Sequence, residues 1–239
     1  MKITQIREKE DAEALSVLDF DLLMEKIKTE TKTRQVTGLR QALHFVLPGE
    51  PCSFAGKLPK IMPAAVFGRV NGVRRMKVYN GIVELTVGPL AGKVEVELVK
   101  KKAADLPQTM FAYMGSSGNS VKIWTLFTRP DGTLPQTQEE AELFQAHAYR
   151  LAVKCYQPQI PFDIQLKEPL LEQYSRLSYD PAPFYRKNAM PFYLSKPFGM
   201  PKEMTYRERT VTEKSPLNRA VPGYAAEDAL ALMYEAALR

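Results

Sequence analysis

The sequence predicts an α+β protein, on three observations. Apolar runs rich in β-branched and aromatic residues cluster between residues 64 and 127. Amphipathic runs at 3-4 spacing lie on both sides of them, and the order is irregular, without the strict strand–helix alternation of a parallel sheet. A chain of 239 residues that is 45% hydrophobic, 25% charged and 10% aromatic can bury a core without staples. That composition excludes a disordered tail, a collagen-like repeat and a disulfide scaffold.

The first 46 residues read mainly as helix. Asp21 caps a run through Leu22, Leu23, Met24 and Ile27, and a second run sets Val36, Leu39, Arg40 and Leu43 on one helical face. Leu47-Pro-Gly-Glu-Pro51 breaks that pattern. Residues 64–67, 76–79 and 82–87 then read as strands, separated by Asn71-Gly72 and Asn80-Gly81, pairs that supply the positive φ angles of tight hairpins. Periodicity leaves the next segment open: Val94, Val96 and Leu98 alternate with Glu95 and Glu97 as in a strand, yet Ala91, Val94 and Leu98 also fit a helix. Residues 109–114 and 121–127 are strands joined by Gly115-Ser-Ser-Gly-Asn-Ser120, and Pro130-Asp-Gly132 is a turn. Thr137 with Glu140 forms a capping box for a helix to Cys155, striped by Ala141, Phe144, Ala148, Leu151 and Cys155. Beyond Gln157-Pro158 the chain is proline-rich and irregular. Residues 197–222 read as a polar arm and 225–238 as an amphipathic helix. This gives two parts, a domain over 1–195 and a C-terminal arm with its helix over 196–239.

Lys+Arg 33 against Asp+Glu 27 leaves a formal charge of +6, which permits a polyanionic partner without demanding one. Two cysteines, Cys52 and Cys155, are too few for a secreted framework and point to a reducing compartment. The opening Met-Lys-Ile-Thr-Gln-Ile-Arg-Glu lacks a signal peptide's apolar core, and no window nears the 18 apolar residues of a membrane span. A soluble, cytoplasmic protein without a membrane partner is expected.

Residues 57 to 102 hold ten basic residues against three acidic ones, Arg69, Arg74, Arg75 and Lys77 among them. Cations near hairpin turns can track phosphates, although a solvated surface has the same composition. In Ser116-Ser-Gly-Asn-Ser-Val-Lys122, glycine and small hydroxyl residues leave backbone N–H groups open to an anion, with Lys122 as a point charge. An ordinary hairpin loop satisfies the same residues, and the segment is no Walker A loop. His44 and Cys52 share their spacing with His147 and Cys155, but packing explains the second pair, and neither has the tight spacing of zinc ligands. No Gly-x-Ser-x-Gly elbow supports a hydrolase triad. Tyr174, Tyr179, Phe184, Tyr185, Phe192 and Tyr193 interleave with Arg176, Arg186, Lys187 and Lys196, a pattern suited to base stacking or to pinning an irregular chain.

Four stretches fall in the order of a known family: Leu23-Met-Glu-Lys-Ile-Lys-Thr-Glu with Leu39-Arg40; Lys57-Leu-Pro59 with Val66-Phe-Gly68 and Tyr79-Asn-Gly-Ile-Val83; 111–122; and Ser175-Arg-Leu-Ser-Tyr-Asp-Pro181 with Tyr185 and Asn188-Ala189. The chain resembles the VirE-type N-terminal domain of bacterial mobile-element and replication-linked proteins. That family is similar to a branch of the archaeo-eukaryotic primase-polymerase superfamily. The resemblance implies a curved mixed or antiparallel sheet with flanking helices, and a groove lined by Ser117, Gly118, Lys122 and Arg176 that takes a nucleotide phosphate. It also implies metal-binding Asp-x-Asp positions, which here read Thr86 and Gly88, with Glu84 as the lone carboxylate of that strand and Asp163 as the candidate third acid. Ser120 replaces a usual glycine, and Gln173 stands where an acid is common. Two-metal phosphoryl transfer needs carboxylates around both ions. A nucleic-acid- or nucleotide-binding module without catalysis, metal or other cofactor is therefore expected. The alternatives are a divergent nucleotidyltransferase using Glu84 or Asp163 with magnesium or manganese, and an interaction module whose C-terminal helix docks a protein partner.

Overall fold

A computed structural model describes residues 1–9, 12–30, 34–45 and 58–194, all within the compact unit Met1–Lys196. The expected break at 47–51, Lys57, Cys52, and the arm and helix of 196–239 lie outside the described residues.

The α+β class holds, but the chain opens differently from expectation. Residues Lys2–Lys9 (β1) and Ala12–Asp19 (β2) form an antiparallel hairpin, not helix, in register from Lys2↔Asp19 to Lys9↔Ala12. Ile3, Thr4, Gln5 and Ile6 are all buried, so both faces of β1 are covered and no clean alternation announces the strand. Helix α1 (Phe20–Lys28) follows at once, with Asp19 rather than Asp21 at its N-cap and no side-chain cap bond. Leu23 and Ile27 face the core as their spacing predicts, and α2 (Gln35–Leu43) likewise buries Val36 and Leu39.

Strand β3 (Lys60–Met62) pairs with β1 and with β9 (Ser175–Arg176), giving a first sheet in the order β2-β1-β3-β9. Strands β4 (Ala65–Val70) and β5 (Val73–Tyr79) make a separate hairpin. Asn71 (φ 51°) and Gly72 (φ 76°) form its turn, as the sequence predicts. Asn80-Gly81 forms no hairpin: β5 stays with β4, while β6 (Ile82–Val87) crosses into the second sheet beside β8. Asn80 instead ties that crossover down, its side-chain amide donating to the carbonyls of Lys2 (2.8 Å) and Pro63 (2.9 Å).

The open segment resolves as helix α3 (Lys93–Asp105), burying Val96, Val99 and Ala103. The second sheet joins β7 (Thr109–Met114), β8 (Val121–Thr128) and β6, with short β10 (Phe184–Tyr185) beside β7 and β11 (Phe192–Tyr193) beside β8. Its pairings are antiparallel except β8 with β11. Helix α4 (Gln138–Tyr156) starts at the predicted cap, Thr137 accepting from the Glu140 N–H. Its stripe drifts from the expected one: Ala152 and Tyr156 are buried, whereas Leu151 and Cys155 are only half-buried.

Alternation along β6 and β8 divides the layers. Val83, Leu85, Ile123 and Thr125 share the face to which α4 brings Tyr156, whose hydroxyl meets Thr109 Oγ1 at 2.7 Å. The opposite face carries Ile82, Glu84, Thr86, Lys122 and Trp124 toward the first sheet and α1. There Phe20, Phe111, Tyr113 and Trp124 pack edge-on or tilted with Ile3, Leu23 and Ile61. Among the described residues no helix is long and apolar enough to cross a membrane.

Candidate functional site

The polar end of that inner face is built by register. Glu84 stands opposite Trp124, and Thr86 opposite Lys122. Glu84 is 7% exposed. Its Oε2 accepts from the Trp124 indole N–H at 2.8 Å, and its Oε1 accepts from the Ser175 hydroxyl, with Lys122 Nζ 3.6 Å away. Two sheets thus close on one carboxylate. Burial holds the neighbouring Tyr113 hydroxyl well above its ordinary pKa, and the charge of Glu84 adds to the shift.

Thr86 is 4% exposed, and its Oγ1 accepts from two ammonium groups, Lys122 Nζ at 2.8 Å and Lys167 Nζ at 3.1 Å. Residues 163–167 bring in the second lysine by running along the free side of β6. The Gly88 N–H donates to the Asp163 carbonyl (3.2 Å), Val87 bridges Ile164, and the Gln165 N–H donates to the Thr86 carbonyl (2.8 Å). The Lys167 N–H donates to the Tyr149 hydroxyl (2.9 Å), which itself donates to the Gln165 carbonyl (3.2 Å). Lys167 is half-buried. Its pKa is held below the ordinary lysine range by burial first and by the Lys122 charge second, with Glu84 opposing.

These residues do not fit a two-metal centre. Both oxygens of Glu84 are already engaged, and Thr86 faces cations. Gly88 lies at φ +138°, where a Cβ would fall 2.8 Å from the Asn119 carbonyl oxygen, so no carboxylate fits there without moving the loop. Asp163 meets β6 through its backbone and is exposed. Among the described residues no group of three or more His, Cys, Asp or Glu side chains is placed to hold a metal ion.

The loop 115–120 is held by a residue that the sequence placed only on a helical face. Arg40, on α2, donates to the carbonyls of Gly115 (3.0 Å), Ser116 (3.3 Å) and Tyr179 (2.7 Å), and approaches Ser178 Oγ at 3.4 Å. Gly118 (φ +83°) lies under it, and a Cβ there would come within 3.3 Å of Arg40 Cδ and Nε. The Ser117 hydroxyl donates to Asn119 within the loop. Ser117 and Gly118 therefore sit on a loop braced by arginine.

Arg176 does not join Lys122. Ser175 points inward to Glu84, so the alternation of β9 turns Arg176 to the other face, with Lys60 as its cross-strand neighbour. Nearby, Glu172 pairs with Arg74 at 2.7 Å, and Asp180 is buried against Lys100 at 3.0 Å. The basic window is likewise not one patch. Arg74 also binds Glu13 (2.6 Å), Arg69 donates to the Glu13 carbonyl (2.8 Å), and Lys100 is buried. Arg75 and Lys77 are exposed on the β4–β5 hairpin.

Arg40, Ser175 and Asp180 lay within the family-like stretches but were not among the candidate site residues. Lys167 carried no local signal, because only the docking of 163–167 on β6 makes it part of the site.

A family model described as BT4734-like, N-terminal domain, matches residues 53–185, more than half of the chain. That family is related to the VirE N-terminal family. No curated protein and no solved structure matches the chain.

Proposed function

The chain belongs to the BT4734-like, N-terminal domain family, and on that premise we propose that it is a cytoplasmic nucleic-acid- or nucleotide-binding module of a replication or mobile-element system. In this reading it is primase-polymerase-like in descent and lacks the polymerase reaction. One observation carries the reading: Thr86, at a position the resemblance assigns to a metal-binding aspartate, accepts hydrogen bonds from two lysines. A site that held cations through carboxylates would instead favour anions through cations. Exposed Arg75 and Lys77 supply further charge for a phosphate backbone.

The test is fluorescence anisotropy of the full chain with labelled single-stranded DNA, duplex DNA, RNA and a nucleoside triphosphate, each titrated with salt. Primer-extension reactions with magnesium and manganese run alongside. Binding that weakens linearly in log–log salt, without template-dependent incorporation, supports the proposal. Incorporation abolished by Glu84→Gln or Asp163→Asn would make the protein a divergent nucleotidyltransferase. Failure to bind any of these polyanions at moderate salt would leave an interaction module.

A further inference from the structure

We propose that Lys122, Lys167 and Thr86 form a metal-independent site for one terminal phosphate group, of a nucleoside polyphosphate or of a 5′-phosphorylated strand. This deepens the binding function proposed above and rests on it.

An ammonium has three N–H donors and no acceptor, while a hydroxyl has one donor and two lone pairs. Thr86 Oγ1 accepts from both lysines, so its own proton is left to point elsewhere. Lys167 uses one donor on Thr86, and among the described residues no carboxylate pairs with it. Lys122 uses one donor on Thr86 and lies 3.6 Å from Glu84, which also accepts from Trp124 and Ser175, so the single charge of Glu84 is set against two ammoniums. The surplus is donors only, carried by two ammoniums that meet on one hydroxyl. Its complement is an oxyanion with several acceptor oxygens and charge approaching −2, as a terminal phosphate has. Two ammoniums anchored on one hydroxyl address a single phosphate rather than successive ones along a strand. Lys167 is half-buried, and the residues before it, Gln165 and Leu166, are exposed, Leu166 at 77%.

The two lysines also repel each other. Lys167 is half-buried beside another cation, and burial and that charge hold its pKa down. A bound anion offsets the repulsion.

The experiment titrates the full chain, in EDTA, with tripolyphosphate and inorganic phosphate, read by calorimetry and by thermal shift. Saturable binding with a raised melting temperature is expected. Lys167→Met should weaken it roughly 10- to 100-fold, as loss of a charge-assisted contact does, without lowering the melting temperature of the free protein. Thr86→Asp, which sets a carboxylate between the two lysines, should abolish it. A triphosphate competing where its nucleoside does not identifies a nucleotide as the source. A 5′-phosphorylated oligonucleotide outbinding its 5′-hydroxyl twin identifies a strand end. The proposal is overturned if binding appears only after a divalent metal is restored, or if Lys167→Met and Thr86→Asp bind like the parent. It is equally overturned, with nucleic-acid binding left standing, if strands bind but terminal phosphates make no difference. Absence of all polyanion binding would remove both readings.

Discussion

Trp124 and Glu84 face each other across β8 and β6, the indole N–H donating to Oε2 at 2.8 Å. The carboxylate of β6 is thereby drawn into the aromatic core formed with Phe20, Phe111 and Tyr113. Ser175 reaches the other oxygen from the first sheet, so Glu84 couples two sheets as well as balancing Lys122. Glu84→Ala would leave an indole donor, a hydroxyl and an ammonium without their acceptor. Breaking such a buried charged set costs about 3–5 kcal/mol. Glu84→Gln retains one acceptor oxygen and should cost about 1–2 kcal/mol. Urea unfolding of the two variants measures the difference; equal costs would show that the carboxylate does not bridge the sheets.

Arg40 offers a second handle, because it joins α2 to both the 115–116 carbonyls and the Tyr179 carbonyl. A lysine presents a point charge and cannot reproduce that planar fork. Arg40→Lys should therefore behave nearly like Arg40→Met. Both are expected to lose about 2–3 kcal/mol and to speed amide hydrogen exchange at 115–120 ahead of the rest of the second sheet. Protection unchanged at Gly118, whose N–H bonds the Gly115 carbonyl at 3.0 Å, would count against the brace.

What could be read from the sequence was what local chemistry fixes. The Asn71-Gly72 turn, the Thr137 cap, and strands β6 and β7 follow from φ preferences, cap geometry and short apolar runs, and all stand where expected. The 2–19 hairpin was missed because β1 is buried on both faces and the charged stretch from Arg7 to Glu13 imitates a solvated helix. Asn80-Gly81 has the composition of a hairpin turn, but the partner of β6 is β8, some forty residues on, which no local signal reveals. The site divides in the same way. Lys122 was singled out through its loop, Arg176 lies one residue of alternation away from the face on which Ser175 meets Glu84, and Lys167 reaches Thr86 through a tertiary docking.

Lys100 and Asp180 form the most buried ion pair among the described residues, at 4% and 2% side-chain exposure. Their roles are unequal. Asp180 also accepts from the N–H groups of Met114 (2.8 Å) and Ala182 (3.0 Å), whereas Lys100 has a second acid, Glu97, at 2.8 Å. Asp180→Ala should thus destabilise by about 3–5 kcal/mol, more than Lys100→Met. The double variant should recover little, because the two backbone donors stay unpaired. A double-mutant cycle by chemical denaturation decides this, and near-complete recovery would mean the backbone bonds to Asp180 contribute little.

The hairpin cations can be sorted by partner. Arg69 and Arg74 are engaged with Glu13 and Glu172, so replacing Arg74 should cost stability more than affinity. Arg75 and Lys77 are exposed, Lys77 lying across Gly68. If the hairpin contacts phosphates, Arg75→Ala and Lys77→Ala should each flatten the log–log salt dependence of nucleic-acid binding by about one unit. Identical slopes in parent and variants would assign these cations to solvent.

Lys167 also makes a prediction about pH with a definite sign. Its folded pKa lies below the ordinary value of 10.5, through burial and Lys122, against the pull of Glu84. Between the lowered folded value and 10.5 the unfolded chain binds more protons than the folded one, so stability climbs as pH rises through that window. Below the window both states are protonated and the folded protein bears the full cost. The groups that act on the ammonium are Thr86, Lys122 and Glu84. Burial raises the pKa of Tyr149, Tyr113 and Tyr156, which lowers stability as pH passes the ordinary tyrosine value of 10.0, so the two effects separate along the pH axis. Lys26, also lowered by burial and Arg7, contributes equally to parent and variant and cancels in their difference. Lys167→Met should therefore raise the urea midpoint at neutral pH, and its advantage over the parent should shrink steadily toward about pH 10. A variant less stable than the parent at neutral pH, or an advantage that grows with pH, would show that Lys167 is held in place for packing and that its charge is not strained.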